Sequence, residues 1–216
     1  MPRCSLAADI GADHGYTTLS LLQNGIADHV LCTDISAPSL DKARRAVRAA
    51  GLEKSVTFLT GDGLTVLAGH FPQAVVLAGM GGETIASILS EKRDWFSACT
   101  FVLQPMTRAD VLRARLYENG FLVSEERLAE DAGHIYPILQ VRYDGKPRFL
   151  DEITRLVGFS HPGRTDDLTR RYFLHLCEQK RKKYEGLLSA HRDKEARAEE
   201  KLLHTLLAMT PPPEDL

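Results

Sequence analysis

The residues best suited to do chemistry in this 216-residue chain are acids that close short apolar runs: Asp9-Ile10-Gly11-Ala12-Asp13-His14-Gly15, Asp34-Ile35 and Gly61-Asp62-Gly63. A glycine lets the backbone turn sharply and approach a ligand, because it has no Cβ. By itself a glycine pair describes any tight turn. Asp34 lies 19 residues past Gly15, near the offset at which an acid takes the ribose hydroxyl pair of an adenosine-type cofactor. Two such cofactors compete. A dinucleotide needs the glycines of G-x-G-x-x-G so that amide N–H groups can hold its pyrophosphate, and Asp13 stands where the second glycine belongs. A carboxylate there repels phosphate. S-adenosylmethionine carries a sulfonium and an ammonium instead, which Asp9 and Asp13 suit by charge. Asp62 offers an acceptor for an adenine amino group, while its bland reading is a plain strand-ending turn. The predicted cofactor is therefore S-adenosylmethionine, assigned to Asp9, Gly11, Asp13, His14, Gly15, Asp34, Ile35, Asp62 and Gly63.

Those residues need strands that end side by side. From Leu6 to about Tyr143, short apolar runs alternate with longer amphipathic stretches, the pattern of βαβ units around a mostly parallel sheet. The predicted strands are 6–10, 30–34, 56–60, 75–78 and 101–104, with helices over 16–24, 37–50, 84–89 and 108–118. Gly25 and Gly51 follow two of these helices, as helix ends favour. Segments 121–128 and 135–143, joined through Asp131-Ala132-Gly133, read as an antiparallel pair. The sum is an α/β core of Rossmann type. After Asp144-Gly145-Lys146-Pro147 the chain becomes charged and helical, with Gly163 before Thr165-Asp166-Asp167 as a helix start. Leu168, Tyr172, Leu176, Lys183 and Leu187, then Leu202, Leu203, Leu206 and Leu207, predict two antiparallel helices forming a coiled-coil hairpin. The expected organisation is a cofactor-binding domain over 1–147, a helical appendage over 148–210 and a frayed tail over 211–216.

At 44% hydrophobic and 26% charged residues the composition is that of a globular protein, and a chain of this length buries roughly 70% of its unfolded surface. No apolar run approaches the ~20 residues that cross a bilayer, and Met1-Pro2-Arg3 does not open a signal peptide. The expected location is cytoplasmic, with no membrane partner. Cys4, Cys32, Cys99 and Cys177 form no CxxC pair and no histidines share a ligand spacing, so neither a metal nor a disulfide framework is expected. A net charge of -2 means that any nucleic acid must be met by a local basic patch. The densest one in the helical part is Lys180-Arg181-Lys182-Lys183.

Ala8-Asp9-Ile10-Gly11-Ala12-Asp13-His14, Thr60-Gly61-Asp62-Gly63-Leu64, Ala78-Gly79-Met80-Gly81-Gly82 and Leu103-Gln104-Pro105 together resemble the bacterial TrmK family of tRNA adenine-22 N1-methyltransferases. The 131–136 turn and the helical hairpin are similar too. The resemblance implies a class I methyltransferase sheet, S-adenosylmethionine bound also by Gly79 and Met80, and methylation of an adenine N1 in the tRNA D-loop region, the hairpin helping to hold RNA. The chain departs from that family at Met106, where an asparagine usually follows Gln-Pro, and at Pro137, where a glutamate usually follows the tyrosine. It also begins eight residues before Asp9, where the family usually carries a helix before the first strand.

Methylating a ring nitrogen needs in-line placement and surroundings that tolerate positive charge moving onto the base. Asp13 is the candidate acid near that charge, or else a cap for the first helix. Gln104 can hydrogen-bond a base edge, and Tyr136 can stack on a base taken out of its stack. Gly79-Met80-Gly81-Gly82 replaces the Asn-Pro-Pro-Tyr-like clamp used for exocyclic amino groups, which fits a ring nitrogen; dense packing explains the same glycines. The expected enzyme is a tRNA (adenine-N1)-methyltransferase, monomeric or weakly dimeric. The alternatives are a small-molecule or protein methyltransferase whose hairpin dimerises it, and a non-catalytic protein that keeps cofactor as structure.

Overall fold

The computed structural model describes residues 1–91, 94–159 and 166–212. Strands β1 (Cys4–Ile10), β2 (Ala27–Asp34), β3 (Val56–Thr60), β4 (Ala74–Gly81) and β5 (Thr100–Thr107) pair in parallel. β6 (Phe121–Asp131) and β7 (His134–Tyr143) form an antiparallel hairpin. Its two turn residues, Ala132 and Gly133, both have positive φ (47° and 77°), the turn whose twist matches the flanking strands. The sheet order is β3-β2-β1-β4-β5-β7-β6. Order reverses between β1 and β4, which opens a crevice at their carboxyl ends. β4 and β5 run three residues beyond their predicted ends. Their pairing continues from Ala78↔Gln104 to Gly81↔Thr107 through shifts in register, and the glycines and proline of those stretches hide a bulged strand from pattern reading.

Helices cover both faces. α1 (Tyr16–Gln23) sets Leu21 against Ala7, Val30 and Val76, and α2 (Ala37–Ala49) sets Leu40, Ala43 and Val47 against Cys32. On the other face α3 (Gly82–Ser90) and α4 (Ala109–Glu118) bring Ile85, Leu89, Leu112 and Leu116 onto Ile10, Leu77, Phe101 and Leu103. Neighbours such as Ala7 and Ala8 point to opposite layers, so strands buried on both faces read as continuous apolar runs. The four cysteines are buried free thiols.

The C-terminal part contains α5 (Glu152–Val157), α6 (Asp167–Ser189) and α7 (Asp193–Met209). The six residues of α5 are too few for a periodic signal; Asp151 caps it by accepting the Thr154 N–H at 2.9 Å. Asp166 caps α6 in the same way through Thr169 N–H, inside the predicted start. Gly163, Arg164 and Thr165 lie outside the described residues, as does the end of the expected tail from Pro213 on. The buried stripe of the pair is corrected: α6 turns in Thr169, Tyr172, Phe173 and Cys177, and α7 turns in Ala196, Glu199, Leu202, Leu203 and Leu206. Leu207 is 42% exposed, and the Lys183 side chain is also largely exposed. Thr169, Cys177 and Ala196 in this seam are small residues, which a count of leucines does not register.

Arg113 of α4 joins the helical part to the sheet. It is fully buried and paired with Glu126 of β6, also buried. Its other guanidinium nitrogen donates to the Arg155 and Leu156 carbonyls at 2.7 and 2.9 Å, and Tyr172 of α6 lies at 3.4 Å. Glu126 also accepts the Phe159 N–H at 3.0 Å. Removing one partner strands a buried charge, which costs about 3–5 kcal/mol. Arg113→Met should therefore lose about that much stability in urea unfolding. Arg113→Met with Glu126→Leu should lose clearly less than the two single losses added together; simple additivity would show that the pair is not coupled.

Candidate active site

The turn from β1 to α1 carries most of the predicted cofactor residues. Three of its positions are left-handed: Gly11 (φ 71°), Asp13 (φ 42°) and Gly15 (φ 77°). A Cβ on Gly15 would fall 2.9 Å from the Ala43 Cβ of α2, so this glycine serves helix packing. Gly11 lies under the Met80 methyl of β4. Four amides of the turn are already used. Gly11 and Ala12 donate to the Thr33 carbonyl at 2.9 Å, Gly15 to the Ala12 carbonyl, and Asp13 to Asp34 Oδ2 at 3.0 Å. These donors are not available to a pyrophosphate, so the loop suits a cofactor without phosphate.

The acids of this site divide by environment. Asp9 is 2% exposed and accepts the Thr18 hydroxyl at 2.7 Å; burial pushes its carboxyl up to about 6. Asp13 does not cap α1, whose N-terminus has no side-chain cap. Its carboxylate is more than half exposed and lies 3.6 Å from Lys42 Nζ and 3.5 Å from His14 Nε2. The His14 ring stacks on Tyr16, with centroids 5.6 Å apart. Asp34 accepts the Ser36 N–H at 2.8 Å as well as that of Asp13, and Ile35 beside it is 71% exposed. The β3 turn is tied to β2 by Gly61 N–H on the Asp34 carbonyl, and Asp62 is exposed next to it, followed by Gly63. Lys42 and Tyr16 were not anticipated. No spacing rule links Lys42 to Asp13, because only the fold brings α2 to that turn.

On the other side of the crevice, Gln104 Oε1 accepts the Gly79 N–H at 2.8 Å, and its amide nitrogen lies 3.4 Å from the Met106 sulfur. Gln104 thus straps the end of β4 to β5. Gly82 is a packing residue: a Cβ there would collide with the Arg108 carbonyl. Because β7 runs antiparallel, its first residues reach the same edge as the carboxyl ends of the parallel strands. Tyr136 therefore follows Gln104 in a row that reads Asp62, Asp34, Gly11, Gly79, Gln104, Tyr136 along β3, β2, β1, β4, β5 and β7. Pairing of β7 with β5 stops at Leu139, so Pro137 is held by β6 alone, where a residue without N–H is tolerated.

Tyr136 and Met106 open on a cleft of about 580 Å³ between the sheet edge and α6, lined also by Ile135, Leu176, Lys180 and Lys183. The basic run of α6 divides between faces. Consecutive helical residues turn by about 100°, so four in a row cannot share one face. Lys180 and Lys183 face the cleft and both bind Glu199 of α7, whereas Lys182 pairs with Glu178.

Residues 1–139 match the family described as a methyltransferase domain. The tRNA (adenine(22)-N(1))-methyltransferase of Bacillus subtilis is 30% identical over 159 residues, 73% of this chain and 67% of that protein. The crystal structure of the B. subtilis m1A22 tRNA methyltransferase TrmK superposes with a TM-score of 0.81 at 25% identity, covering 95% of this chain and 93% of that one. M. capricolum TrmK in complex with S-adenosyl-homocysteine gives 0.82 at 19% identity over 97% and 94% of the two chains, a likeness of fold. With its acid-bearing turns, its strand order and these relatives, the chain belongs to the methyltransferase domain family and, within it, to the TrmK group.

Proposed function

We propose that the chain methylates N1 of an adenine in bacterial tRNA, adenine 22 in the D-loop region, with S-adenosylmethionine as donor. The observation that carries this reading is the row along the sheet edge, in which cofactor-type acids on β3, β2 and β1 lead to a cleft at β5 and β7 roomy enough for a base. The residues fit the cofactor: the turn offers carboxylates where a pyrophosphate would need amides, and an exposed apolar side chain, Ile35, flanks the ribose acid. Asp34 is assigned the ribose hydroxyls, Asp62 the adenine amino group, Ile35 and Gly63 the adenine faces. Asp9, Gly11, Asp13, His14, Gly15, Gly79 and Met80 are assigned the methionine side. When bound, S-adenosylmethionine supplies an electrophilic methyl group on a positively charged sulfur.

Chain residues then position the base. Tyr136 is half-buried at the cleft mouth and stacks on the adenine once it leaves its own stack. The Gln104 oxygen, fixed by Gly79, keeps a second lone pair for the 6-amino group. Asp13 stands free of any helix cap and faces the positive charge that develops on the methylated ring. The helical pair closes the cleft and helps to hold RNA. No described helix is long and apolar enough to cross a membrane, and a tRNA substrate implies work in the cytoplasm, as a monomer or weak dimer.

Three outcomes are expected. Methyl-labelled cofactor should transfer its label to bulk bacterial tRNA, and the product should stop reverse transcription at one adenine, because an N1-methyl blocks base pairing. Label recovered only in protein or small molecules would overturn the assignment. Asp34→Ala should weaken cofactor binding by about 1–3 kcal/mol, roughly ten- to a hundredfold, in calorimetric titration; an unchanged dissociation constant would remove Asp34 from the site. Asp9 gives a pH signature. Its folded carboxyl is raised to about 6 from 3.8, so the stability it contributes is complete below pH ~4 and is lost as pH rises through 6. Relative to Asp9→Asn, which keeps an oxygen for Thr18, the parent should lose roughly 2–3 kcal/mol between pH 4 and 7. Parallel urea-unfolding profiles would contradict that.

A further inference from the structure

A second cationic surface lies beside the cofactor crevice, on α2. α2 carries Lys42, Arg44, Arg45 and Arg48 against one acid, Asp41. Its buried stripe is Leu40, Ala43 and Val47. At 100° per residue, the side away from that stripe presents Lys42, Arg45 and Arg48, all exposed, over about 9 Å of helix. Arg44 is engaged elsewhere, over the Phe58 ring at 4.4 Å and 3.9 Å from Asp41. Among the described residues no ion pair engages Arg45 or Arg48. In the helical pair, by contrast, Lys180 and Lys183 bind Glu199, Lys182 binds Glu178, Arg171 binds Glu130 and Asp167, and Arg192 binds Glu195. Those five cations are neutralised by the protein itself, while Arg181 of α6 and Lys194, Arg197 and Lys201 of α7 are exposed with no ion pair among the described residues.

The α2 stripe also starts at the site. Lys42 reaches Asp13 and His14 at the rim of the β1 turn, so a strand bound on α2 runs directly to the crevice. We propose that this face of α2 is a docking surface for the phosphate backbone of the RNA substrate. Guanidinium groups suit that partner, because their planar donors match phosphate oxygens. The cleft at β5 and β7 lies on the far side of β1 and β4, and strands ~4.8 Å apart set it roughly 20 Å from β2. A folded tRNA spans that distance, so one substrate is gripped on both flanks of the cofactor crevice. The inference rests on the RNA reading above and adds a second surface to it.

Arg45→Gln with Arg48→Gln, and the same pair changed to Glu, test it, with Arg181→Gln/Lys182→Gln on the outer face of α6 as a companion. Lys42 is left intact because it touches the site. Binding of bulk bacterial tRNA would be measured from low to high potassium chloride, alongside methyl transfer, cofactor affinity and thermal melting. The Gln pair should raise the tRNA dissociation constant about tenfold at low salt and flatten the log–log salt slope by about 1.5, the value for two lost phosphate contacts. The Glu pair should do more, with cofactor affinity and melting unchanged in both. A parent chain that binds and methylates tRNA while both α2 variants match it across the salt series overturns the docking surface alone. A parent that does neither overturns the RNA reading and this surface with it.

Discussion

The relation between the sheet and the helical part depends on one buried ion pair. Arg113 and Glu126 are shut off from solvent, so their charge is met by protein groups from β6, the α5 segment and α6, with the Arg113 Nε left without a hydrogen-bond partner. A buried charge sets position strongly, and here it fixes α5 against α4 and β6 through the Arg155 and Leu156 carbonyls, with Tyr172 of α6 as the outermost contact. Around it, Val157, Phe173 and Leu206 pack with Leu128 and Ile135 of the hairpin. The cleft beside Tyr136 lies next to this junction and shares Leu156 and Tyr172 with it.

The second organising fact is where the amides of the β1 turn are spent. Asp34, proposed above as the ribose acid, also shapes the loops around it, through one oxygen on Asp13 N–H and the other on Ser36 N–H. The carboxylate sets the conformation of two loops before anything binds. A site held this way has already paid the entropy of ordering them.

Much of this was legible in the sequence. The strands, the helices of the α/β part and the antiparallel pair follow from hydrophobic period and from glycines at helix ends, because those signals are local. The order of acids Asp9, Asp34 and Asp62 was readable for a related reason: in a parallel sheet, each acid that ends a strand reaches the same edge. What escaped depends on distance in sequence. Arg113 looks like any helical arginine until β6 is known to lie beneath it, and Lys42 looks like a solvated lysine. The pairing within the basic run was not legible either. Composition counts charges without saying which are already paired, and Glu199 takes two of them.

The place of β7 bears on how the chain is made. It lies between β5 and β6 in the sheet, yet it is synthesised after both. Until residues 134–143 have left the ribosome, β5 ends the sheet as an open edge, with the backbone beside Phe101 and Leu103 unpaired. The nascent chain is then a nearly complete cofactor fold with a sticky apolar margin and no Tyr136. Closing that edge and completing the site are one event, so a chain stalled before this strand is aggregation-prone and lacks the base-binding half of the site.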